Sequence, residues 1–324
     1  MSYLSVNDTG EIQKTIDLRP ISESGLEEWK SSASGLQRRW LEDSGFKASA
    51  GECCALPNED GAVEAWLFGQ GEKGSLYQLA SLVGRLPAGT YRLDCDWSRE
   101  QRLQASLGWG LACYRFDRYK ENKNPLPGLL LDGDIESEVR ALCQAQCLVR
   151  DLVNTPTEDM GPAQLADAVT READRFNAEV TTVSGDELLV EKFPAIHVVG
   201  RASNRAPRLV ELTWGEVDAP GLTLVGKGVC FDTGGLDLKT AAGMALMKKD
   251  MGGAAHALAL ATLVMEHKLP VRLRLLIPAV ENSVAGNAYR PGDVIPTRKG
   301  LSVEIGNTDA EGRVILSDAL ALAC

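Results

Sequence analysis

The spacing of apolar residues in the second half of the chain predicts helices that alternate with strands. Apolar positions at helical spacing predict helices over 135–152, 161–176 and 250–267, and from Val314 to the end. Short apolar runs predict strands over 208–214, 222–225, 271–278 and 302–305, and a further apolar run spans 195–199. This alternation favours a mostly parallel central sheet that is flanked by helices.

The first part of the chain has shorter apolar runs and more turn residues. Patterns over 62–68 and 90–94 predict strands, and patterns over 75–82 and 100–110 predict helices. No cluster of titratable residues there indicates chemistry, and the polar Pro- and Gly-bearing segment 121–128 is the best linker candidate. We therefore expect an N-terminal α/β domain over 1–130, a linker helix over 131–155 and a second α/β domain over 156–324.

Composition narrows the class of protein. The chain has 324 residues, of which 44% are hydrophobic and 24% charged, as in ordinary globular proteins. The net charge of −11, with no block of Lys and Arg, argues against nucleic-acid binding. The longest apolar stretch, 257–265, is far shorter than the roughly 20 residues of a membrane span. Residues 1–14 lack signal-peptide features, and the eight cysteines form no CxxC pair, which favours a reduced, cytoplasmic protein.

A glycine-rich segment, 226–235, follows the predicted strand 222–225. Such a loop can cradle a phosphate, but Gly228 follows Lys227 where a P-loop requires Ser or Thr. The dinucleotide pattern GxGxxG also fails, because Cys230, Phe231 and Asp232 follow and none of them is the required glycine. Nucleotide binding is therefore disfavoured.

Several acidic residues follow predicted strand ends. Asp232, Asp309 and Glu311 all do so, and ligands of open α/β sheets bind beyond the carboxyl ends of strands. Converging carboxylates repel one another unless cations lie between them, which favours a site for two divalent metals. Taken singly, Asp250 could instead interact with a helix dipole, Asp309 could be a turn residue and Glu311 a first-turn acid.

Three separated motifs resemble the leucyl (cytosol) aminopeptidase family, the two-metal M17 peptidases. They are the loop Lys227 to Lys239 with Phe231-Asp232-x-Gly234-Gly235, the block 247–255, and the segment 307–313, which reads NTDAEGR. Glu281-Asn282 and 290–293 match the intervening segment. The resemblance is strong over about 150–324 and loose before that.

The resemblance implies a set of site residues. The metal ligands fall on Lys227, Asp232, Asp250, Asp309 and Glu311, with Asp232 and Glu311 bridging two ions, Asp309 on one ion, and Lys227 and Asp250 on the other. A lysine ligates only as the neutral amine, so the pKa of Lys227 must be depressed beside the two cations. The catalytic positions match Lys239 and Arg313, and the substrate-lining positions match Met247, Asn307 and Ala310.

The resemblance also implies a reaction and its partners. Two Zn²⁺ or Mn²⁺ ions would activate a bridging water, which attacks the first carbonyl of a peptide that has a free N-terminus, with a leucine-like residue preferred. Lys239 would polarise that carbonyl, and Arg313 would hold bicarbonate as the general base. Family members are usually cytoplasmic hexamers, which implies a homo-oligomer. None of the three histidines lies in a motif.

Some features are left outside this interpretation. Asp237 is expected to be a solvated loop acid or a lysine partner, and Cys230 a small buried filler. The chain ends at 319–324 within an apolar pattern that has no stop signal, whereas the family's catalytic domain continues, so we expect that domain to be cut short. A catalytically silent fragment that acts as a binding or assembly module is the alternative. A two-metal phosphoesterase is disfavoured by the missing histidines.

Overall fold

The structure is a computed structural model that describes residues 3–5, 15–71 and 75–324. Most of the segment examined for a signal peptide, residues 1–2 and 6–14, lies outside the described residues. The chain divides into two units, Met1–Gln144 and Ala145–Cys324. The division falls within the segment 131–155, and the domain bounds of the sequence analysis remain a prediction.

The first unit is a mixed α/β layer. Its helices are α1 (Leu26–Ser32), α2 (Gly35–Ser44), α3 (Leu76–Ala80), α4 (Arg99–Ala112) and the start of α5 (Glu136–Asn154). Its strands are β1 (Leu4–Ser5), β2 (Thr15–Ile21), β3 (Cys53–Pro57), β4 (Val63–Gly69), β5 (Thr90–Leu93) and β6 (Gly128–Leu130). The strand order is β1-β6-β5-β2-β4-β3, and only the β3–β4 pair is antiparallel among the described pairs.

Local sequence explains several of these elements. Ser34 with Gln37 and Ser98 with Gln101 form capping boxes that begin α2 and α4. The predicted strands over 62–68 and 90–94 and the predicted helices over 75–82 and 100–110 are confirmed, with ends shifted by a few residues. The core of this unit includes the fully buried Trp109.

The second unit contains the remaining elements. Its helices are the end of α5, α6 (Pro162–Asp174), α7 (Glu187–Val190), α8 (Pro194–Gly200), α9 (Ala241–Met244), α10 (Gly252–Glu266) and α11 (Glu311–Ala323). Its strands are β7 (Glu179–Ser184), β8 (Arg208–Trp214), β9 (Gly221–Val225), β10 (Gly228–Asp232), β11 (Arg272–Asn282), β12 (Val294–Pro296) and β13 (Ser302–Glu304).

Strand β11 lies at the centre of the main sheet. It pairs with β8 on one edge, and with β9 and then β10 on the other. Strands β7, β9, β10 and β11 run in one direction and β8 in the opposite direction, so the expected mostly parallel sheet is confirmed in strand direction. The side chains of β11 are buried nearly throughout, as in a sheet covered on both faces.

Two apolar cores cover the two faces of this sheet. Cys230 and Ala279 belong to the core that includes α5, α6 and α10, whereas their neighbours Val229 and Val280 belong to the core that includes α8 and α11. This alternation follows from the two-residue period of a strand. The sheet is therefore flanked by helices on both faces, as expected from the sequence.

Three expectations need correction. The strand predicted at 302–305 pairs with β12 in a separate two-stranded ribbon and does not join the main sheet. The helix predicted to begin at Asp250 begins at Gly252, after a 3₁₀ turn over Met247–Met251. Half of the glycine-rich segment 226–235 is a strand, β10, and Asp232 is the last residue of that strand.

Among the described residues, no helix is both long and apolar enough to cross a membrane.

Candidate metal centre

A short break in one edge of the sheet carries the first site residue. Strands β9 and β10 both run parallel to β11, and Lys227 lies in the gap between them. The Lys227 carbonyl accepts a hydrogen bond of 2.8 Å from the Ala254 N–H at the start of α10. The break therefore fixes Lys227 beside the turn that holds Asp250.

Three carboxylates converge on one point. One oxygen each from Asp232, Asp309 and Glu311 lies within 4.8 Å of the others. Asp232 and Glu311 are buried, with exposed fractions of 3% and 2%, whereas Asp309 is exposed. Asp232 ends β10, but Asp309 and Glu311 come from a 3₁₀ turn and the first residue of α11. The expected convergence is present, although its second strand end belongs to the ribbon and not to the main sheet.

Two lysines join these acids to Asp250. The Lys227 Nζ lies 2.8 Å from an oxygen of Asp250 and 2.8 Å from an oxygen of Glu311. The Lys239 Nζ lies 2.9 Å from the Asp232 carboxylate and also pairs with Asp309. Six residues predicted for the site thus form two adjoining groups of ion pairs.

The electrostatics of the cluster follow from burial and pairing. Burial alone would lower the pKa of Lys227 and Lys239, but their hydrogen bonds to carboxylates outweigh it, and both pKa values are raised. Lys227 paired with carboxylates is therefore a cation, and the depressed pKa expected of a ligating lysine requires neighbouring metal ions. Burial raises the pKa of Glu311 to about 6, against the lowering effect of Lys227, and the Asp232 charge adds to the rise.

The donor set and burial fit divalent cations. The Glu311 Oε2 is buried and has no hydrogen-bond partner among the described residues, which is costly for a carboxylate oxygen unless a cation pairs with it. Carboxylate oxygens together with an amine nitrogen suit Mn²⁺ or Zn²⁺. The Lys227 side chain packs directly against Gly312, and a Cβ on Gly312 would lie 2.5 Å from the Lys227 Cε. Only glycine leaves room for that lysine.

Other predicted site residues lie on the same turns but outside the ion pairs. Arg313, two residues after Glu311, is exposed and has no hydrogen bond or ion pair with the described residues. Asn307 accepts a hydrogen bond of 2.7 Å from the Asp309 N–H and so caps the turn. Met247 and Ala310 are half-buried on the two turns that carry Asp250 and Asp309.

The structure gives roles to residues for which the sequence predicted none. Asn282, fully buried, donates a hydrogen bond of 2.8 Å to the Asp232 Oδ1. Asp237, expected to be a solvated loop acid or a lysine partner, is an exposed loop residue, and its carboxylate also accepts a hydrogen bond from the Thr308 N–H at 2.7 Å. Cys230 is buried as expected, and burial raises the pKa of its thiol. Only a motif match to Asn282 pointed towards this network.

The fold and site define an α/β protein with a buried carboxylate and lysine cluster suited to divalent metals. The sequence profile described as "Cytosol aminopeptidase family, catalytic domain" matches residues 147–324, and that of "M17 aminopeptidase, N-terminal domain" matches residues 16–132. The chain belongs to the cytosol aminopeptidase family. This confirms the resemblance drawn from the three motifs.

Individual relatives agree with that assignment. The chain is similar to a probable cytosol aminopeptidase of Tropheryma whipplei, with 36% identity over 90% of this chain and 64% of the relative. It is also similar to the crystal structure of cytosol aminopeptidase from Coxiella burnetii, with 44% identity, a TM-score of 0.95, and coverage of 100% of this chain and 70% of that one.

A third similar structure is the bottromycin maturation enzyme BotP in complex with Mn, with 34% identity, a TM-score of 0.81, and coverage of 95% of this chain and 68% of that one. Of the Tropheryma whipplei relative the chain covers 64%, which is less than two thirds of that protein's length.

Proposed function

We propose that this chain contains the reaction centre of a metal-dependent aminopeptidase. Two divalent cations, Mn²⁺ or Zn²⁺, would be held by Lys227, Asp232, Asp250, Asp309 and Glu311. The observation that carries the proposal is the convergence of three carboxylate oxygens within 4.8 Å of one another, two of them on buried residues. The similar enzyme BotP, described in complex with Mn, supports a divalent metal.

The bound cations would supply Lewis acidity and an acidified water for attack on a peptide carbonyl. The chain's own residues would orient and stabilise the reacting groups. Lys239 keeps its proton because its pKa is raised, so its ammonium group is available to stabilise negative charge that develops on the carbonyl oxygen. Its ion pairs with Asp232 and Asp309 fix that ammonium group beside the carboxylates.

We assign Arg313 to the binding of a small anion. Its guanidinium group is exposed and not engaged by the described residues, and it lies in the first turn of α11, where helix N–H groups favour negative charge. Bicarbonate is the anion that we propose, acting as the proton acceptor that no nearby histidine provides. Met247, Asn307 and Ala310 would contact the substrate.

The proposed substrates are peptides with a free N-terminus, with a leucine-like first residue preferred. The relatives named cytosol aminopeptidase support this substrate class and a cytoplasmic location. A homo-oligomer, a hexamer by resemblance, is part of the same proposal.

The test separates metal binding from turnover. Asp309→Ala should lower the affinity for Mn²⁺, and with it the amount of bound metal. The loss of affinity should be at least the roughly 10–100-fold that is typical when a residue supporting a metal ligand is removed. Arg313→Ala should keep the metals but lower kcat for leucinamide by about 10²–10⁴-fold, as for a lost acid–base catalyst, with little rescue by added bicarbonate. Asp218→Ala, which removes an exposed acid on a remote turn, is the control.

Two results would contradict these roles. If Arg313→Ala loses its metals or keeps full turnover, the assignment of Arg313 is wrong. If the unaltered protein binds metal and does not release leucine, the aminopeptidase proposal fails and a silent binding module explains the site better.

A further inference from the structure

Thr308 stands next to Asp309 and is bonded through every polar group that it has. Its N–H donates to the Asp237 Oδ2 at 2.7 Å, and its hydroxyl donates to the Gly234 carbonyl at 2.6 Å. Its carbonyl accepts hydrogen bonds from the Asn282 Nδ2 at 3.0 Å and from the Tyr289 hydroxyl at 2.7 Å. Thr308 itself is fully buried. Such complete pairing fixes the backbone immediately before Asp309.

Asp237 and Thr308 bind each other reciprocally. The Asp237 N–H donates to the Thr308 Oγ1 at 2.9 Å, while the Thr308 N–H donates to the Asp237 carboxylate at 2.7 Å. The two residues are 71 positions apart in sequence, so the contact joins two separate loops. A Cβ on Gly235, whose φ is +66°, would lie 2.9 Å from the Thr308 Oγ1, so glycine is needed for this approach.

The joined loops carry the reacting groups. Asp237 lies two residues before Lys239, whose N–H closes the same loop by donating to the Thr233 carbonyl at 2.9 Å. Thr308 directly precedes Asp309, which forms an ion pair with Lys239 on the other loop. Because converging carboxylates repel one another, the two loops need contacts that hold them together. The reciprocal hydrogen bonds between Asp237 and Thr308 supply such contacts without involving the metal-binding oxygens.

We propose that Asp237 and Thr308 are positioning residues that set the affinity of the centre for divalent cations and the placement of Lys239. The inference rests on the proposed function. Asp237 is not among the carboxylates that converge within 4.8 Å, and its Oδ2 is occupied by the Thr308 N–H. Its part is therefore to hold the loop, not to bind a cation directly.

Calorimetric titration of the metal-free protein with Mn²⁺ tests this role. Asp237→Ala and Thr308→Val should each weaken Mn²⁺ binding by about 10–100-fold, the usual cost of removing a group that supports a ligand. Because the two side chains take part in one reciprocal contact, the loss of affinity in the double variant should be smaller than the sum of the two single losses. Asp237→Asn, which keeps an oxygen that can accept from the Thr308 N–H, and Thr308→Ser should bind nearly as tightly as the parent.

Thr297→Val is the matched control. Thr297 is also a buried threonine, and it donates its hydroxyl to the Leu301 carbonyl at 2.9 Å in the ribbon. Its loss should leave Mn²⁺ affinity unchanged. If Thr297→Val weakens binding as much as Thr308→Val does, general destabilisation accounts for the effect, and the inference is overturned.

Hydrogen exchange provides a readout that needs no metal. The amide hydrogens of Asp237 and Thr308 each donate into the partner side chain, so both should be protected in the parent. The Thr308 amide should lose protection in Asp237→Ala, and the Asp237 amide should lose it in Thr308→Val. Lost protection with unchanged Mn²⁺ affinity would overturn the positioning role alone. A parent protein that binds no Mn²⁺ would overturn the proposed function and this inference together.

Discussion

Replacing Gly312 by alanine should disable the metal centre while leaving the fold nearly intact. Gly312 is the second residue of α11, and an added Cβ would lie 2.5 Å from the Lys227 Cε, 2.8 Å from its Cδ and 2.9 Å from its Nζ. All three distances are shorter than real Cβ contacts, so one of the two groups must move. The lysine side chain is flexible, and we therefore expect Lys227 to shift.

The displacement of Lys227 determines how much Gly312→Ala changes the free energy of unfolding and the Mn²⁺ affinity. Alanine in place of glycine within a helix normally adds about 0.5–1 kcal/mol of stability. Forced overpacking removes about 1–3 kcal/mol when nothing can yield, and here the end of a flexible side chain can. We therefore expect a net change below about 1 kcal/mol in the free energy of unfolding. A displaced Lys227 loses its 2.8 Å contacts with Asp250 and Glu311, and Mn²⁺ affinity should fall by at least about 10–100-fold.

The assay compares two glycines at helix starts. Gly252 begins α10, and a Cβ there would meet no atom within 4 Å. Gly252→Ala should therefore keep the parent's Mn²⁺ affinity and gain up to about 1 kcal/mol in urea unfolding. Calorimetry and urea unfolding should be measured on both variants. If Gly312→Ala binds Mn²⁺ as tightly as the parent, Lys227 is not required where the structure places it, and its role as a ligand fails.

Three further predictions concern stability, pH and thiol chemistry. Asp318, fully buried, accepts three backbone hydrogen bonds, so Asp318→Ala should cost about 2–4 kcal/mol in urea unfolding through the donors left unpaired, whereas the exposed Asp167→Ala should cost almost nothing. Because the pKa of Glu311 is raised to about 6, this residue keeps its proton to a higher pH than an ordinary glutamate. Mn²⁺ affinity measured by calorimetry should therefore rise as pH increases through that value, and a flat profile would contradict the buried carboxylate. Iodoacetamide should label the exposed Cys324 in the folded protein and spare Cys230, whose thiol pKa is raised by burial, as peptide mass mapping would reveal.

Elements with a strong local signal could be predicted from the sequence. Pro162 marks the start of α6, and continuous apolar character identifies β11. The apolar run 195–199 gave no clear type, and it forms the short helix α8 because the Asp318 carboxylate accepts from the N–H groups of Ala195 and Ile196. Strand β2 was not predicted, because its alternation of Ile16 and Leu18 with polar residues is short and ends at Pro20, yet it pairs on both edges in its sheet.

The site likewise combines residues that short sequence motifs reveal with contacts between residues far apart in the sequence. Its acids and lysines lie in short motifs, so a resemblance could locate them before any fold was known. The contacts that hold them are long-range, such as those of Asp237 with Thr308 and of Asn282 with Asp232, which lies 50 positions away. A loop acid and a buried threonine look ordinary in sequence, because their function depends on which backbone groups the fold brings beside them.

The proposed function requires that this cluster bind two cations and that leucine release depend on them. Metal-free protein should be titrated with Mn²⁺ while bound metal and the release of leucine from leucinamide are followed together. We expect release to be absent without metal, to rise to a plateau at two ions per chain, and not to occur from N-acetyl-leucinamide. Release without bound metal, or full occupancy by two ions without release, would refute the proposed function.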